Sequence, residues 1–378
     1  MASYTYLPLE RVIFGRPAAE AAAAEAARIG AKRVFMVASK SLARETPVVR
    51  AIADALGERY VGLFDGCIAH TPWPSVIEAA DRVRAAAPDL ILTVGGGTPI
   101  DTVKILQLCL AHGVTEPEGL ERLRSTEIKE ARPSPVRQVV VPSTLSGAEF
   151  SNIGGGTDLR TRLKHSFSGA DIGARSVILD PEVTLHTPAW LWLSTGVRGV
   201  DHAVEALCSI EAHPYCDGLA LHALRLFAQA LPRTKSAPAD LEARLACQQA
   251  SWLAASTIAR VNYGASHGIG HALGAAADVP HGYTSCVMLP HVMRHNEPAT
   301  HAKQKMIAEA LGHDGPAAEA LAQLIRRLGL PATLRDVGVK REQLARIAEA
   351  SLKSHWVRTN PQPIRAPEDV MRLLEAAW

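Results

Sequence analysis

The sequence predicts an α/β domain over residues 1–186 followed by an all-helical domain over 187–378. Three observations carry that expectation. Short apolar, β-branched runs alternate with helical stretches as far as residue 184, the pattern of a parallel sheet wrapped by helices. After Pro188 those runs disappear, and Ala, Leu, Arg and Glu recur at helical spacing with Pro or Gly punctuation. The chain has 378 residues, more than the roughly 250–300 at which a single core stops growing.

The elements follow in order. The Ala-rich segment 18–28 carries Glu20, Glu25 and Arg28 and reads as a helix. RVFMVAS at 33–39 is a strand, followed by a helix over Val48–Leu56. YVGLFDG at 60–66 is the next strand, with a helix near 74–86 after it. LILTVGGG at 90–97 is a strand that ends in glycines, and a helix begins near Pro99. RQVVVPS at 137–143 is another strand. Residues 145–185, with SNIGGGTD, RTRLKHSF and SVILDPEV, read as turns and a local antiparallel piece. The second domain should hold eight to ten helices. With no repeat and no low-complexity linker, the two halves are expected to pack tightly and to place a ligand between them.

Composition narrows the function. Forty basic and thirty-eight acidic residues give a net charge of +2, so no global field recruits nucleic acid or an anionic membrane. The local basic run of Arg160, Arg162 and Lys164 reads as a solvated loop or a phosphate contact. No basic segment precedes an apolar stretch at the start, and no window approaches eighteen uninterrupted apolar residues; neither a signal peptide nor a membrane span is expected. The six cysteines lack CxxC spacing, so zinc-finger and disulfide frameworks drop out and reduced thiols in a cytoplasmic enzyme remain.

Two constellations carry chemistry. Gly95-Gly96-Gly97-Thr98-Pro99-Ile100-Asp101 follows a strand and opens a helix. Glycines let the backbone approach an anion, Pro99 suits the first helical turn, and the helix end presents free N–H groups. The same pattern also serves as a plain tight turn, and neither GxGxxG nor GxxxxGK[ST] is present. The second constellation is histidine-rich. His267 and His271 lie four apart, as do Arg198 and His202, and His281 sits in a Pro-His-Gly turn. Clustered imidazoles supply nitrogens for a divalent metal or a proton path near neutral pH. The other histidines show no such grouping and read as structural or surface residues, with His70 a weak exception.

The motifs FDG (64–66), GGGTPIDTVK (95–104), PSTLSGAE (142–149), DHAVEA (201–206), HGIGHALG (267–274) and PHG…LPHVMRHN (280–296), in this order, resemble the iron-containing (group III) alcohol dehydrogenase superfamily. The resemblance implies a Rossmann-like N-terminal domain and an all-α C-terminal domain, the dehydroquinate synthase-like architecture, in a homodimer. It implies NAD or NADP with its pyrophosphate on Gly95, Gly96, Gly97, Thr98 and Asp101. Ser143, Thr144, Ser146 and Ser151 would lie toward the nicotinamide, and Lys164 and Leu179 toward the ribose or base. At the position where NAD-preferring members carry an acidic residue this chain has Ser39, with Lys40 beside it, so the choice of dinucleotide stays open.

Metal-dependent members bind Fe2+ or Zn2+ through an Asp and a His four apart plus two later histidines. His202, His267 and His281 match three of those positions, and Arg198 stands at the fourth. A guanidinium cannot ligate a metal, and Asp201 is a poor substitute, being rotated about 100° from His202. AHTP (69–72), DHAVEAL and HWVRTNPQPI (355–364) resemble the metal-free maleylacetate reductases, so the chain sits between the two groups. The expected activity is hydride transfer to or from a small carbonyl, alcohol or oxo acid. Arg198 would stand in for the metal and bind a carbonyl oxygen or a substrate carboxylate. His271 or His267 would donate the proton, with His202 and His281 shaping the pocket. Three alternatives remain at this stage: a three-histidine metal site with Arg198 salt-bridged to Asp201 or Glu205, a lyase of the dehydroquinate synthase type, and a non-catalytic dinucleotide-binding module.

Overall fold

A computed structural model describes residues 4–161 and 163–378, and its contacts divide the chain into one unit ending at Thr187 and another beginning at Pro188. The first unit contains β1 (Arg11–Phe14), α1 (Ala18–Ile29), β2 (Val34–Ala38), α2 (Lys40–Glu45), α3 (Val48–Leu56), β3 (Tyr60–Phe64), α4 (Trp73–Ala86), β4 (Leu90–Gly95), α5 (Gly97–His112), β5 (Gln138–Pro142), β6 (Ile153–Asp158), β7 (Leu163–Ser168), β8 (Ala174–Leu179) and α6 (Pro181–Thr184).

Six strands form one sheet in the order β1-β8-β5-β4-β2-β3, and every pairing in it is parallel. Strands β2, β4 and β5 are buried along their whole length. They therefore read as continuous apolar runs, because helices cover both faces. Val34 and Met36 of β2 pack with Leu92 and Val94 of β4 beneath α1 and α3. Phe35, Val37 and Ile91 face the other way, against Val76 of α4 and Val103 of α5. The chain leaves β2 for one side of the sheet and β4 for the other, so the switch in strand order falls between these two neighbours. Ligands of open α/β sheets bind beyond the strand ends at such a point.

The structure changes the reading of residues 145–185. β6 and β7 do form a local antiparallel hairpin, but the run SVILDPEV belongs to β8 and α6, and β8 lies inside the main sheet between β1 and β5. The apolar part of β8, Val177–Leu179, is too short to carry a period that separates a buried parallel strand from a local piece, and the polar hairpin before it masked the return to the sheet. The edge strand β1 was likewise not singled out; four residues give too little pattern.

The second unit is helical, with nine α-helices among the described residues: α7 (Ala189–Cys208), α8 (Pro214–Ser236), α9 (Leu241–Ala255), α10 (Ala265–Ala277), α11 (His281–Ala310), α12 (Ala317–Leu328), α13 (Leu344–Ser351), α14 (His355–Arg358) and α15 (Pro367–Ala376). α7 packs against α8, α9 and α11, and α10 against α11, α13 and α14. Leu273, Val287, Ile347, Val357 and Leu374 share one apolar core. From Trp192 to Cys208 every residue of α7 is buried. A helix enclosed on all sides is expected to be apolar throughout, yet this one carries Arg198, Asp201, His202 and Glu205. Among the described residues no helix is long and apolar enough to cross a membrane.

Candidate active site

The glycine run occupies the switch point of the sheet. Gly95 ends β4 with φ +147, Gly96 caps α5, and Gly97 begins it. A Cβ at Gly95 would overlap Ser39 Oγ and come within 2.8 Å of Pro99 Cγ. One at Gly96 would lie 2.9 Å from Thr144 Cγ2, and one at Gly97 3.4 Å from Ser146 Oγ. Ser39, Thr144 and Ser146 thus converge on the run from neighbouring strand ends, and Thr144 Oγ1 and Ser146 Oγ are hydrogen-bonded at 3.0 Å. Ser143 ties the wall to the floor: its N–H donates to Gly95 C=O at 3.0 Å and its own carbonyl accepts from Thr187 Oγ1 at 2.7 Å. Bare backbone at the start of a sixteen-residue helix, ringed by hydroxyls, forms a cradle whose free amides can receive an anion.

Beneath the cradle lies a buried ionic group that motif reading missed. Lys104 is fully buried and donates to the carbonyls of Ala148 (2.6 Å) and Ile153 (2.7 Å). Asp101 Oδ2 accepts from Gly155 N–H at 3.1 Å, and its other oxygen is 3.5 Å from Lys104 Nζ. Asp101 therefore braces the 148–155 segment. Glu149 is buried beside them, and burial pushes its carboxyl up to about 7. The signal was available, since Lys104 falls three residues after Asp101 within GGGTPIDTVK.

The remaining candidates of this unit are more dispersed. Ser151 Oγ bonds locally to Ile153 at 3.1–3.2 Å. The Lys164 side chain on β7 lies over Gly155. Leu179 is buried at the end of β8, with its carbonyl accepting from Gly15 N–H. Of the basic run, Arg160 grips Asp158 at 3.0–3.1 Å and sits 5.7 Å over the Trp73 ring. Arg162 lies outside the described residues.

In the helical unit, α7, α10 and α11 bring Arg198, His202, His267, His271 and His281 together. His281 opens α11 as its first residue instead of sitting in a free turn. His202 stacks on His267 with centroids 4.9 Å apart, and the His271 and His281 rings lie 5.8 Å apart, edge to face. Arg198 is buried, donates to Ser285 Oγ at 3.1 Å, and lies 3.7 Å from Asp201 Oδ2. A Cβ on Gly270 of α10 would be 3.8 Å from Arg198 Nη1, which places the guanidinium beside the turn bearing His267 and His271.

Asp201, set aside as a metal ligand because it is turned from His202, lies three residues from Arg198 on the arginine's face, where an ion pair was the alternative expectation. Its Oδ2 accepts from Ser285 Oγ (2.6 Å) and Ser266 Oγ (2.8 Å), and lies 3.5 Å from His267 Nδ1. Glu205, one turn further along, accepts from Ser266 N–H (2.9 Å) and His267 N–H (3.2 Å), and its Oε2 is 2.7 Å from His267 Nδ1. Asn360 Oδ1 takes the preceding amide of α10, that of Ala265, at 3.0 Å. The donor atoms of Asp201, Glu205 and His267 all lie within 4.8 Å of one another.

Burial dominates the electrostatics. It pushes the carboxyls of Asp201 and Glu205 upward, as expected for two acids enclosed side by side. It holds His202 and His267 neutral well below the usual imidazole range, and the nearby Arg198 charge adds to this. His202 Nδ1 and His267 Nε2 are buried atoms without a hydrogen-bond partner. Tyr263 stands 4.6 Å from the His267 ring, and Trp356 stands 4.9 Å from His271 and 5.6 Å from His267. Sequence reading missed Ser266, Tyr263, Ser285, Trp356 and Asn360, and named Glu205 only as a possible ion-pair partner of Arg198. For Glu205 the signal was its seven-residue spacing from Arg198; for Trp356 and Asn360 it was the HWVRTN segment.

Comparisons with known proteins match both halves of the chain to one family. Residues 9–181 match the family described as iron-containing alcohol dehydrogenase, and residues 192–378 match the Fe-containing alcohol dehydrogenase family, C-terminal. Dehydrogenase ALT3 of Alternaria alternata is 35% identical over 372 residues, covering 88% of this chain and 95% of that protein. Maleylacetate reductase of Pseudomonas sp. (strain P51) is 29% identical, covering 97% and 95%. Among solved structures, a 1,3-propanediol oxidoreductase superposes with a TM-score of 0.90 at 28% identity, covering 100% of both chains.

Proposed function

This chain belongs to the iron-containing alcohol dehydrogenase family and is an NAD(P)-dependent oxidoreductase of small molecules, and within that activity we propose a reductase of carboxylate-bearing ketones or enones, of the maleylacetate kind, in which Arg198 replaces the metal. One observation carries the proposal: a buried guanidinium sits among the imidazoles and is balanced by Asp201 at 3.7 Å.

The two groups the family implies fare differently. The dinucleotide fits. The space over Gly96 and Gly97 is one a Cβ would narrow, and the amides there, with Thr144 and Ser146, would hold its pyrophosphate and orient its nicotinamide, the source of the hydride. A divalent metal does not fit. Arg198 takes the position of the missing carboxylate and would repel a cation. Asp201 Oδ2 is committed to two serine hydroxyls and the arginine, and the oxygens of Glu205 to α10.

The chain's own residues then divide the work. Arg198 binds the carbonyl oxygen as negative charge develops, or holds a substrate carboxylate bidentately. His267 and His271 share one face of α10, and His271 is the half-buried member. The proton enters by His271 and reaches the substrate oxygen from His267. His202 and His281 pack the site around them. The test is oxidation of NADH and NADPH by the purified protein against paired substrates with and without a carboxylate. Turnover confined to the acids supports the proposal. Preferential reduction of neutral aldehydes, lost on chelation, contradicts it.

A further inference from the structure

We propose that Trp356 is the specificity-determining residue of this site: its indole is a fixed flat wall beside His271 that admits a short planar carbonyl compound and excludes one branched next to the carbonyl. The inference rests on the placement of the substrate beside His271 and adds which members of that class fit.

The centroid of the Trp356 ring lies 4.9 Å from that of His271, 5.6 Å from His267 and 5.8 Å from Tyr263. Three rings at these distances hold the indole in one orientation. His202, Tyr263 and His267 are buried, whereas His271, His281 and Trp356 are half-buried. A molecule entering the cluster therefore meets these three side chains first, and Trp356 is the largest of them. Its neighbours in sequence mount α14 on α10 and on the segment before it. Asn262 Oδ1 accepts from His355 Nε2 at 3.0 Å, and Thr359 Oγ1 donates to Tyr263 C=O at 3.1 Å. Val357 is fully buried against Gly268, where a Cβ would come within 2.5 Å of Val357 Cγ2 and 3.1 Å of its N. Gly268 and His271 lie three residues apart on one face of α10, so the close approach permitted at Gly268 sets Trp356 over His271. These anchors are made without the indole, whose open surface is left for a ligand. A conjugated oxo acid or enone lies flat along it by offset stacking. Methyl branches on the carbon next to the carbonyl need the volume that the indole fills. One methylene in an apolar pocket discriminates by roughly 10–200-fold.

The test uses two matched pairs, pyruvate with 3-methyl-2-oxobutanoate and acetaldehyde with 2-methylpropanal. Within each pair the second member carries two more methyl groups on the carbon next to the carbonyl. The readout is the ratio of kcat/KM, unbranched over branched, with NADH or NADPH as reductant. In the wild type this ratio is expected to exceed about tenfold. Trp356→Ala should reduce it by about tenfold or more, chiefly by raising kcat/KM for the branched member. Trp356→Leu should move it in the same direction, and serves where the alanine variant fails to fold. Trp356→Phe keeps a flat ring and should stay within about threefold of wild type. A purely structural role for Trp356 would lower Tm and both rates together and leave the ratio in place. An unchanged ratio in the alanine and leucine variants, a wild-type ratio near one, or no turnover of either pair overturns the proposal. Turnover of the aldehydes alone contradicts the carboxylate reading, while the aldehyde ratio still decides the role of Trp356.

Discussion

Removing the Arg198 side chain tests stability and catalysis at once, and the structure gives a magnitude for each. Arg198→Ala leaves Asp201 buried with two serine hydroxyls and no cation. Breaking one partner from a buried ion pair costs about 3–5 kcal/mol, so the urea midpoint should drop well below wild type. The same change removes the donor assigned to the developing oxyanion. Loss of one such donor lowers kcat by roughly 10²–10³. Because the two effects could be confused, the decisive variant is Arg198→Ala/Asp201→Asn. The asparagine oxygen can still accept from Ser266 and Ser285, so the unpaired charge is gone. Most of the stability should return while turnover stays at the level of the single variant. Urea unfolding, stopped-flow oxidation of NADH and NADH fluorescence titration read the three quantities, with cofactor affinity expected to be unchanged throughout. Recovery of turnover together with stability would show that Arg198 only balances Asp201, and the catalytic assignment would fall.

Two further predictions concern the first unit. Gly95→Ala places a side chain at φ +147 and against Ser39 Oγ; strain of that kind costs on the order of 1–3 kcal/mol. NADH affinity should fall at least tenfold, and unchanged affinity would remove the cradle from the cofactor site. Burial pushes the Glu149 carboxyl up to about 7, against 4.5 ordinarily. Between those values the native state holds a proton that the unfolded chain has released, so Glu149 makes stability decline as pH rises. Over its full span this amounts to roughly 3 kcal/mol. Glu149→Gln should match wild type below pH 4.5 and exceed it at pH 8, and a constant gap across urea titrations at both ends would refute the assignment.

Much of the fold was legible because its signals are local. A five-residue apolar run such as Val34–Ala38 records a strand covered on both faces, and Gly30 and Gly329 close α1 and α12 in the left-handed conformation. β8 escaped because its partners, β1 and β5, are distant in sequence and its own six residues fit several readings. The site divides in the same way. Arg198, His202, His267 and His271 announce themselves by four-residue spacing on a helix. Tyr263, Trp356 and Asn360 have no such register with them; what joins them is the packing of α10 against α14, which no spacing encodes. Asp201 was a poor metal ligand by its angle to His202, but its place one turn beyond Arg198 made it a candidate ion-pair partner, and the two lie 3.7 Å apart.

The most direct test of the account is the metal content of the purified enzyme, measured by elemental analysis alongside NADH and NADPH oxidation with and without a chelator. An arginine-based site predicts substoichiometric iron and zinc and a rate that the chelator does not change. Near-stoichiometric iron or zinc, with activity lost on chelation and restored by the metal, would mean that Arg198 turns away from the histidines in the working enzyme, and the central claim would be wrong.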